Sequence, residues 1–387
     1  MAASPAQAAS LTQITNFGSN PTNLAFHLYV PDNIPTSTRP AILVAVHYCT
    51  GSGPAFFSGT QFASLADQAK FIVIYPSATR SGNCFDVSSP GALRHNGTSD
   101  PVGIVSMVNW VVQNRRGDAS RVFVTGASSG GMMTNVLLGD YPDVFKAGAA
   151  FMGVPFGCFA TTDGSLWNSQ CSSGQRIMTP QQWGDMVRNA FPGYSGPRPR
   201  MQVWHGTTDA TLNFNNFGEE IKQWTNVLGV SQTPVFTDSP QSGWTRTRYG
   251  NTGATPPVEA IRVANVGHSL PLSGQAAMAI RFFGLDNSTP PTTPGGGGCT
   301  ASTAAGTVFG DRYNTTVNVT GTNTWIVTVA ITAPQKVSTI WNASVTWDST
   351  GNVMTARPNG NGNSFGFTTM FNGNSSARPR VTACQVG

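Results

Sequence analysis

The sequence predicts two domains of different class, an α/β domain followed by an all-β sandwich. Three observations along its 387 residues support this division. Strand-like and helix-like segments alternate over residues 10–285. Residues 286–298 are mostly proline, threonine and glycine, which cannot build a core and are typical of a linker. Residues 299–387 contain short alternating segments with no helical period.

The α/β assignment follows from the kind of apolar run in residues 10–285. Six β-rich segments show little polar alternation, as strands buried on both faces should. These segments are 41–48, 71–76, 121–127, 147–155, 199–206 and 258–266. Five helix-like segments separate or follow them, at 59–70, 101–116, 130–142, 217–229 and 273–284. Such alternation predicts a mostly parallel sheet with helices packed on its faces.

The second domain is predicted to be an immunoglobulin-like sandwich. Its strand-like segments are short, alternate in polarity and are separated by Asn, Gly and Thr. They lie at 315–321, 324–332, 337–347, 353–358 and 364–372.

Composition excludes several classes of function. Charged residues make up 10% of the chain, against about 25% in typical proteins. The net charge of +5 comes from 22 basic and 17 acidic residues that are scattered, so no nucleic-acid partner is expected. No run of 18 apolar residues occurs, so no membrane span is predicted. We expect a monomer without a metal site.

The six cysteines predict disulfides and an oxidising compartment. They are widely spaced, with no C-x-x-C pair to suggest zinc. Fifteen pairings are formally possible, but the domain boundary favours Cys299–Cys384, and we expect Cys49–Cys84 and Cys158–Cys171 among the others. Residues 1–9 are interpreted as the tail of a removed secretory signal, because Ala6-Gln7-Ala8 resembles a cleavage site. The protein is therefore expected to be secreted and extracellular.

The five-residue pattern G-x-S-x-G occurs twice, around Ser128 and around Ser364. In α/β-hydrolase folds this pattern places a nucleophilic serine on a sharp turn between a strand and a helix. Ser128 has a buried-strand pattern before it and a helical pattern after it. Ser364 lies between strand-like segments of the all-β domain. We therefore predict that Ser128 is a nucleophile and that Ser364 is structural.

A serine nucleophile needs a histidine base and a carboxylate that orients it. In this fold class they follow the serine in the order Asp or Glu, then His, each in a loop after a strand. His205 and His268 are the histidines that follow Ser128. His268 comes after the last predicted strand, and Asp209 follows the strand that contains His205. This order predicts Asp209 as the orienting carboxylate and His268 as the base.

The tetrahedral intermediate of ester hydrolysis needs backbone N–H donors for its oxyanion. One donor is predicted to be the N–H of Ser129, directly after the nucleophile. The second should come from the loop after an early strand, where Cys49 is the favoured donor. A Cys49–Cys84 disulfide would keep this loop rigid.

Five sequence blocks, in chain order, resemble the acetyl xylan esterases of carbohydrate esterase family 1. They are HYCTGSG, SGNCFDVSS, TGASSGGMMTNVLLGDYPDVF, WHGTTD and VGHSLP. Feruloyl esterases and polyhydroxyalkanoate depolymerases are related to this family. The resemblance covers most of residues 10–285. It implies removal of O-acetyl groups from xylan without a cofactor, with the same triad and oxyanion donors as above.

The second domain resembles a family 2 carbohydrate-binding module. The resemblance rests on the terminal cysteine pair and on the segments TWIVTVAI, IWNASV and SFGFT. It implies binding of cellulose or xylan through aromatic rings that stack on sugars. Trp341, Trp347 and Phe309 are the candidate binding residues, whereas Trp325 is expected in the core. Arg357-Pro358 stands where the family usually has a further tryptophan.

Three other functions remain open from the sequence. A feruloyl esterase would need a pocket for an aromatic acyl group. An extracellular polyhydroxybutyrate depolymerase would have a similar linker and binding domain. A non-catalytic polysaccharide-binding protein is the third, and the complete Ser–Asp–His order argues against it.

Overall fold

The chain divides into two compact units, Met1–Asn287 and Ser288–Gly387. The computed structural model describes residues 9–286, 299–348, 350–375 and 377–386. The predicted signal remnant, apart from residue 9, and the predicted linker, apart from residue 286, lie outside the described residues. No helix in the described ranges is long and apolar enough to cross a membrane.

The first unit is built on one ten-stranded sheet. Its strands are β1 (Thr12–Ile14), β2 (Ala25–Tyr29), β3 (Ile42–Val46), β4 (Ile72–Ser77), β5 (Val122–Ala127), β6 (Ala147–Phe151), β7 (Arg200–Gly206), β8 (Phe236–Asp238), β9 (Trp244–Tyr249) and β10 (Val258–Val263). The spatial order is β1-β2-β4-β3-β5-β6-β7-β10-β9-β8. The six central strands are parallel, and the two strands at each edge are antiparallel.

Helices of the first unit follow the strands along the chain. They are α1 (Gly53–Gly59), α2 (Phe62–Ala69), α3 (Asp100–Asn114), α4 (Ser129–Asp140), α5 (Ser169–Ser172), α6 (Pro180–Ala190), α7 (Asn215–Val227) and α8 (Gln275–Phe283). The five predicted helices correspond to α2, α3, α4, α7 and α8. The helices α1, α5 and α6 and the edge strands were not predicted. The edge strands are short and partly polar, so they lack the continuous apolar run of the central strands.

The continuous apolar runs of the central strands result from a core on each face of the sheet. In β3, Ile42, Val44 and Val46 pack into one core, and Leu43 and Ala45 pack into the other. The predicted α/β class is confirmed. Because the strands are parallel, their carboxyl ends meet at one edge, where α/β proteins carry their sites.

The second unit is an all-β sandwich of two four-stranded antiparallel sheets, as predicted. One sheet has the order β11-β12-β17-β14 and the other the order β15-β16-β13-β18. These strands are β11 (Thr300–Phe309), β12 (Arg312–Thr320), β13 (Trp325–Ala330), β14 (Lys336–Trp341), β15 (Ala343–Trp347), β16 (Val353–Pro358), β17 (Ser364–Met370) and β18 (Arg380–Val386). Trp325 is buried between the sheets and stacks on Phe365, with ring centroids 5.2 Å apart.

All six cysteines are paired. The disulfides are Cys49–Cys84, Cys158–Cys171 and Cys299–Cys384. Two of them lie in the first unit, and the third ties β18 of the second unit to the residue that precedes β11.

Candidate active site

Ser128 lies on a sharp turn between β5 and α4. Its backbone has φ 55° and ψ −117°, in the positive-φ region that residues other than glycine rarely adopt. The Ser128 N–H donates to the Phe151 carbonyl at the end of β6, at 2.9 Å. The turn therefore holds the Ser128 side chain at the carboxyl edge of the sheet, the geometry of a nucleophile elbow.

Two glycines allow this turn because they let backbone segments touch. A Cβ atom at Gly126 would lie 2.3 Å from the carbonyl oxygen of Gly130. A Cβ atom at Gly130 would lie 2.0 Å from the carbonyl oxygen of Val46 in β3. Both distances are far shorter than a nonbonded contact, so any larger residue would push α4 away from the sheet.

The structure brings Ser128, His268 and Asp209 into one series of hydrogen bonds. His268 Nε2 lies 2.8 Å from Ser128 Oγ, and His268 Nδ1 lies 2.7 Å from Asp209 Oδ2. Asp209 follows β7 and His268 follows β10, so both loops leave the same edge of the sheet as Ser128. The three elements converge because their strands are parallel.

Asp209 is held in its ionised form. Its side chain is buried, which by itself would raise its pKa. Hydrogen bonds from His205, His268 and the Leu212 N–H outweigh that effect and lower the pKa well below its usual value. Asp209 Oδ1 accepts the Thr211 and Leu212 N–H groups, each at 2.9 Å. A buried carboxylate fixed in this way can orient His268 and stabilise it when it becomes protonated.

His205 is a second histidine beside Asp209. Its Nε2 lies 3.3 Å from Asp209 Oδ2 and 2.8 Å from the Leu212 carbonyl oxygen. The ring is fully buried in β7 and does not contact Ser128. In the sequence His205 stands only as an alternative base, and its position four residues before the loop carboxylate Asp209 is the available signal of a supporting role.

The two predicted oxyanion donors lie at the start of α4 and in the loop after β3. Ser129 is the first residue of α4, where the N–H has no partner within the helix and the helix dipole favours negative charge. Cys49 lies in the loop after β3, and its N–H donates to no acceptor among the residues that the structure describes. The Ser129 hydroxyl also accepts the Phe85 N–H at 2.8 Å, next to the Cys49–Cys84 disulfide. The two donor segments are thus tied together.

The predicted sugar-binding residues of the second unit do not all lie together. Strand register places Phe309 and Trp341 on the outward face of one sheet, near opposite edges. Phe309 is 45% exposed, and Trp341 packs where a Cβ at Gly366 would lie 2.2 Å from its ring. Trp347 is 39% exposed but belongs to β15 of the other sheet. Within the described residues, no cluster of His, Cys, Asp and Glu could hold a metal ion.

Comparison with known proteins identifies the family of the first unit. A family model described as esterase PHB depolymerase matches residues 24–172. Feruloyl esterase B from Talaromyces stipitatus is 46% identical over 281 residues, which are 72% of this chain and 76% of that protein. The chain belongs to this esterase family. Acetylxylan esterase A from Emericella nidulans is 44% identical over 280 residues, covering 71% of this chain and 89% of the relative.

A solved structure agrees with this assignment. The acetyl xylan esterase from Aspergillus awamori superposes with a TM-score of 0.67 at 42% identity, covering 71% of this chain and 99% of that one. The C-terminal xylan binding domain of Cellulomonas fimi xylanase 11A matches 24% of this chain at 43% identity and covers all of that domain, with a TM-score of 0.21. The protein is a carboxylic ester hydrolase with an α/β-hydrolase fold.

Proposed function

We propose that the protein is a secreted serine esterase that removes O-acetyl groups from acetylated xylan. The observation that carries the proposal is the hydrogen-bonded series from Ser128 Oγ through His268 to the buried Asp209 carboxylate. In this proposal Ser128 is the nucleophile, His268 the general base and Asp209 the orienting carboxylate. Cys49 and Ser129 supply the oxyanion donors, and no cofactor takes part.

Acylation transfers the acetyl group from the sugar to Ser128. His268 Nε2 accepts the Ser128 proton while Oγ attacks the acetyl carbonyl carbon. The carbonyl oxygen becomes an oxyanion between the N–H groups of Cys49 and Ser129, at the positive end of α4. When the tetrahedral intermediate collapses, the ester C–O bond breaks and the sugar oxygen takes the proton from His268. The sugar hydroxyl leaves, and acetyl-Ser128 remains.

Deacylation repeats these steps with water as the nucleophile. His268 accepts a proton from water as the oxygen attacks the acetyl carbon of acetyl-Ser128. The same backbone donors hold the second oxyanion. Collapse breaks the bond to Ser128 Oγ, which regains its proton from His268, and acetic acid is released. Asp209 stays ionised throughout and stabilises the imidazolium in both halves of the reaction.

The acyl group that the enzyme removes could be acetyl or feruloyl. Acetylxylan esterases and a feruloyl esterase match this chain at nearly equal identity, 44% and 46%. We favour acetyl because the acetyl xylan esterase from Aspergillus awamori shares the fold over 99% of its own length. A feruloyl esterase is the second candidate, supported by the Talaromyces stipitatus relative.

Parallel release assays decide between these two acyl groups. Purified enzyme is incubated with acetylated xylan and, separately, with feruloylated arabinoxylan, and acetate and ferulate are measured over time. We expect acetate release at a rate at least tenfold above ferulate release. Ser128→Ala, which should release neither acid, controls for contaminating esterases. Faster ferulate release would replace the acetyl assignment with the feruloyl one.

Two further rivals have their own tests. Clearing of a polyhydroxybutyrate suspension would support a polyester depolymerase, the activity named in the matching family model. A non-catalytic binding protein would leave Ser128 unlabelled by a fluorophosphonate probe. We expect no clearing, and we expect one labelled site per chain that disappears in Ser128→Ala.

The second unit is proposed to hold the enzyme on plant polysaccharide. Phe309 and Trp341 lie on the outward face of one sheet, where aromatic rings can stack on sugars. Binding is tested with the Ser128→Ala protein, so that the ligand is not deacetylated, on insoluble xylan and on cellulose. Loss of either aromatic side chain should weaken binding by about 1 kcal/mol, or roughly fivefold. Trp347→Ala is the matched comparison, because Trp347 belongs to the other sheet.

Secretion is proposed from the disulfides. Three disulfides pair all six cysteines, and such bonds persist in oxidising compartments. Recovery of the protein from the culture medium of its source organism, with no free thiols on titration, is the expected result.

A further inference from the structure

His47 is a buried histidine that the proposed mechanism does not use. It follows β3 and directly precedes Tyr48 and Cys49. Its side chain is fully buried, and its ring packs against Phe85 with centroids 4.8 Å apart. A buried imidazole beside a backbone oxyanion donor raises the question of what it holds in place.

The hydrogen bonds of His47 determine its tautomer. The Ala78 N–H donates to His47 Nε2 at 3.1 Å, so this nitrogen carries a lone pair and no proton. The proton must therefore be on Nδ1, which donates to the Tyr48 carbonyl oxygen at 2.6 Å. Burial lowers the pKa of His47 to about 4, although the bond to the Tyr48 carbonyl opposes the shift and nearby His27 adds to it. The ring is neutral near pH 7.

The Tyr48 carbonyl belongs to the same peptide unit as the Cys49 N–H. This peptide bond is trans, and in a planar trans unit the C=O and N–H groups point in opposite directions. A hydrogen bond that fixes the direction of the carbonyl therefore also fixes the direction of the N–H. The Gly51 N–H donates to the same carbonyl at 3.1 Å. His47 and Gly51 thus hold this peptide plane from the side opposite to the Cys49 N–H.

We infer that His47 is a positioning residue of the oxyanion hole, which aims the Cys49 N–H through the Tyr48 carbonyl. The inference rests on the proposed function, because it takes the Cys49 N–H as an oxyanion donor. His47 does not touch the substrate. The Ala78 N–H, just beyond the end of β4, fixes the orientation of the His47 ring. The direction of the Cys49 N–H is therefore set from the central strands of the sheet.

The Phe85 contact links this arrangement to the second donor. Phe85 packs on the His47 ring, and its N–H donates to the hydroxyl of Ser129. The residue before Phe85 forms the disulfide with Cys49. Both donor segments are therefore held by the same short stretch of chain, and electrostatic stabilisation of an oxyanion depends on such preorganised donors.

Three substitutions of His47 separate positioning from packing. His47→Asn keeps an N–H donor at the place of Nδ1. His47→Gln can accept the Ala78 N–H at the place of Nε2 but puts no donor at the place of Nδ1, from which the Tyr48 carbonyl is bonded. His47→Phe keeps the ring volume and has neither group. For each purified variant we measure kcat and KM for p-nitrophenyl acetate, the inhibition constant of phenylboronic acid, and the thermal unfolding midpoint.

We expect kcat to depend on whether the variant keeps a hydrogen-bond donor to the Tyr48 carbonyl. Removing one oxyanion donor typically lowers kcat by about 10²–10³-fold. His47→Gln and His47→Phe should approach such losses, with KM changed less than threefold and phenylboronic acid binding weakened in parallel. His47→Asn should recover most of kcat and of boronic acid affinity, whatever its unfolding midpoint.

Two outcomes would overturn the inference. One is a kcat within threefold of wild type in His47→Gln or His47→Phe. The other is an equal loss in all three variants that follows their unfolding midpoints, which would make His47 a packing residue only. A wild-type enzyme without any activity on p-nitrophenyl acetate would overturn the proposed function, and this inference with it.

Discussion

The chain carries the pattern G-x-S-x-G twice, and the two copies have opposite surroundings. Ser128 lies between a buried parallel strand and a helix, with a positive φ and a histidine at 2.8 Å. Ser364 begins β17 in an antiparallel sheet, and its hydroxyl donates to Asn318 Oδ1 at 3.0 Å. Residues 299–387 contain no histidine at all. The pattern alone therefore does not make a serine reactive. The histidine and carboxylate beside Ser128 come from loops that follow neighbouring parallel strands.

The glycines of the two copies also differ in purpose. Gly126 and Gly130 allow backbone segments to meet beneath Ser128. Gly362 has φ +89° in a turn with no atom within 4 Å of its missing Cβ, and Gly366 leaves space for the Trp341 ring. The glycines of the pattern thus permit close backbone approach in the first copy, whereas in the second they permit a turn and an aromatic contact.

Removing each serine is the strongest test of this contrast. Ser128→Ala should lower kcat for p-nitrophenyl acetate by about 10⁴–10⁶-fold, because no other group can form the acyl-enzyme. Ser364→Ala should change kcat by less than twofold. Initial rates of both purified variants, compared with wild type, check the prediction. A large loss in Ser364→Ala with an unchanged unfolding midpoint would contradict it.

The carboxylate behind the histidine gives the next largest effect. Asp209→Asn should lower kcat by about 10³–10⁴-fold, because the amide favours the wrong tautomer of His268 and cannot stabilise its protonated form. The exposed Asp311 of the second unit is the matched control, and Asp311→Asn should leave kcat unchanged.

Asp209 also makes a prediction about acid stability. Its folded-state pKa is lowered, so its contribution to stability is present above its ordinary pKa of about 3.9 and is lost as pH falls below it. Unfolding midpoints between pH 3 and 6 should therefore decline less steeply toward acid in Asp209→Asn than in wild type. Parallel curves would show that the carboxylate is not preferentially ionised in the folded protein.

The central strands and the catalytic triad could be predicted from the sequence. The hydrogen bonds that could not be predicted have one reason in common. Continuous apolar runs marked the central strands, and the order of Ser128, Asp209 and His268 predicted the contact that the structure contains. The hydrogen bonds of His47, and the one from His205 to Leu212, could not be predicted, because their partners are backbone groups of Tyr48, Ala78 and Leu212. Such hydrogen bonds depend on the direction of a loop, which residue types do not encode.

The aromatic surface residues of the second unit are also only partly predictable from the sequence. Phe309, Trp341 and Trp347 are equally aromatic in sequence, and only strand register distributes them between two sheets. A one-residue change of register would reverse the face that each side chain occupies. The sandwich class was therefore predictable from alternation, whereas membership of one binding face was not.

Adding a methyl group to one glycine of each copy tests their different roles. Gly130→Ala would place Cβ 2.0 Å from a backbone oxygen, so it should destabilise the first unit by about 3 kcal/mol and remove most esterase activity. Gly362→Ala should cost only about 1 kcal/mol, for its positive φ, with kcat unchanged. Thermal unfolding and p-nitrophenyl acetate hydrolysis measure both effects. Equal destabilisation by the two substitutions would contradict the contrast.

The helix that follows Ser128 and the strand that Ser364 begins also differ in their polar contacts. On α4, Asn135 donates to Glu220 Oε1 at 2.6 Å and accepts the Trp224 indole N–H at 2.7 Å. Complete burial raises the pKa of Glu220 to about 8, although the bond from Asn135 opposes the shift. On β17, the contact compared with it is neutral and only partly buried, from Thr368 Oγ1 to Asn314 Oδ1 at 2.8 Å. The helix that follows Ser128 therefore rests on a group that titrates near neutral pH.

Glu220→Gln should remove a pH dependence of stability. The folded pKa of Glu220 lies above its ordinary value of about 4.3, so its protonated form stabilises the protein fully below that pH. That stability is lost as pH rises toward 8, by about 1.4 kcal/mol per pH unit, or roughly 2–3 kcal/mol between pH 5 and 7. Denaturant unfolding at these two pH values should show a smaller decline in Glu220→Gln, while Thr368→Val should keep the wild-type decline. A decline of the same size in Glu220→Gln would mean that the Glu220 carboxyl is already ionised at pH 5 or finds compensating donors in the folded core.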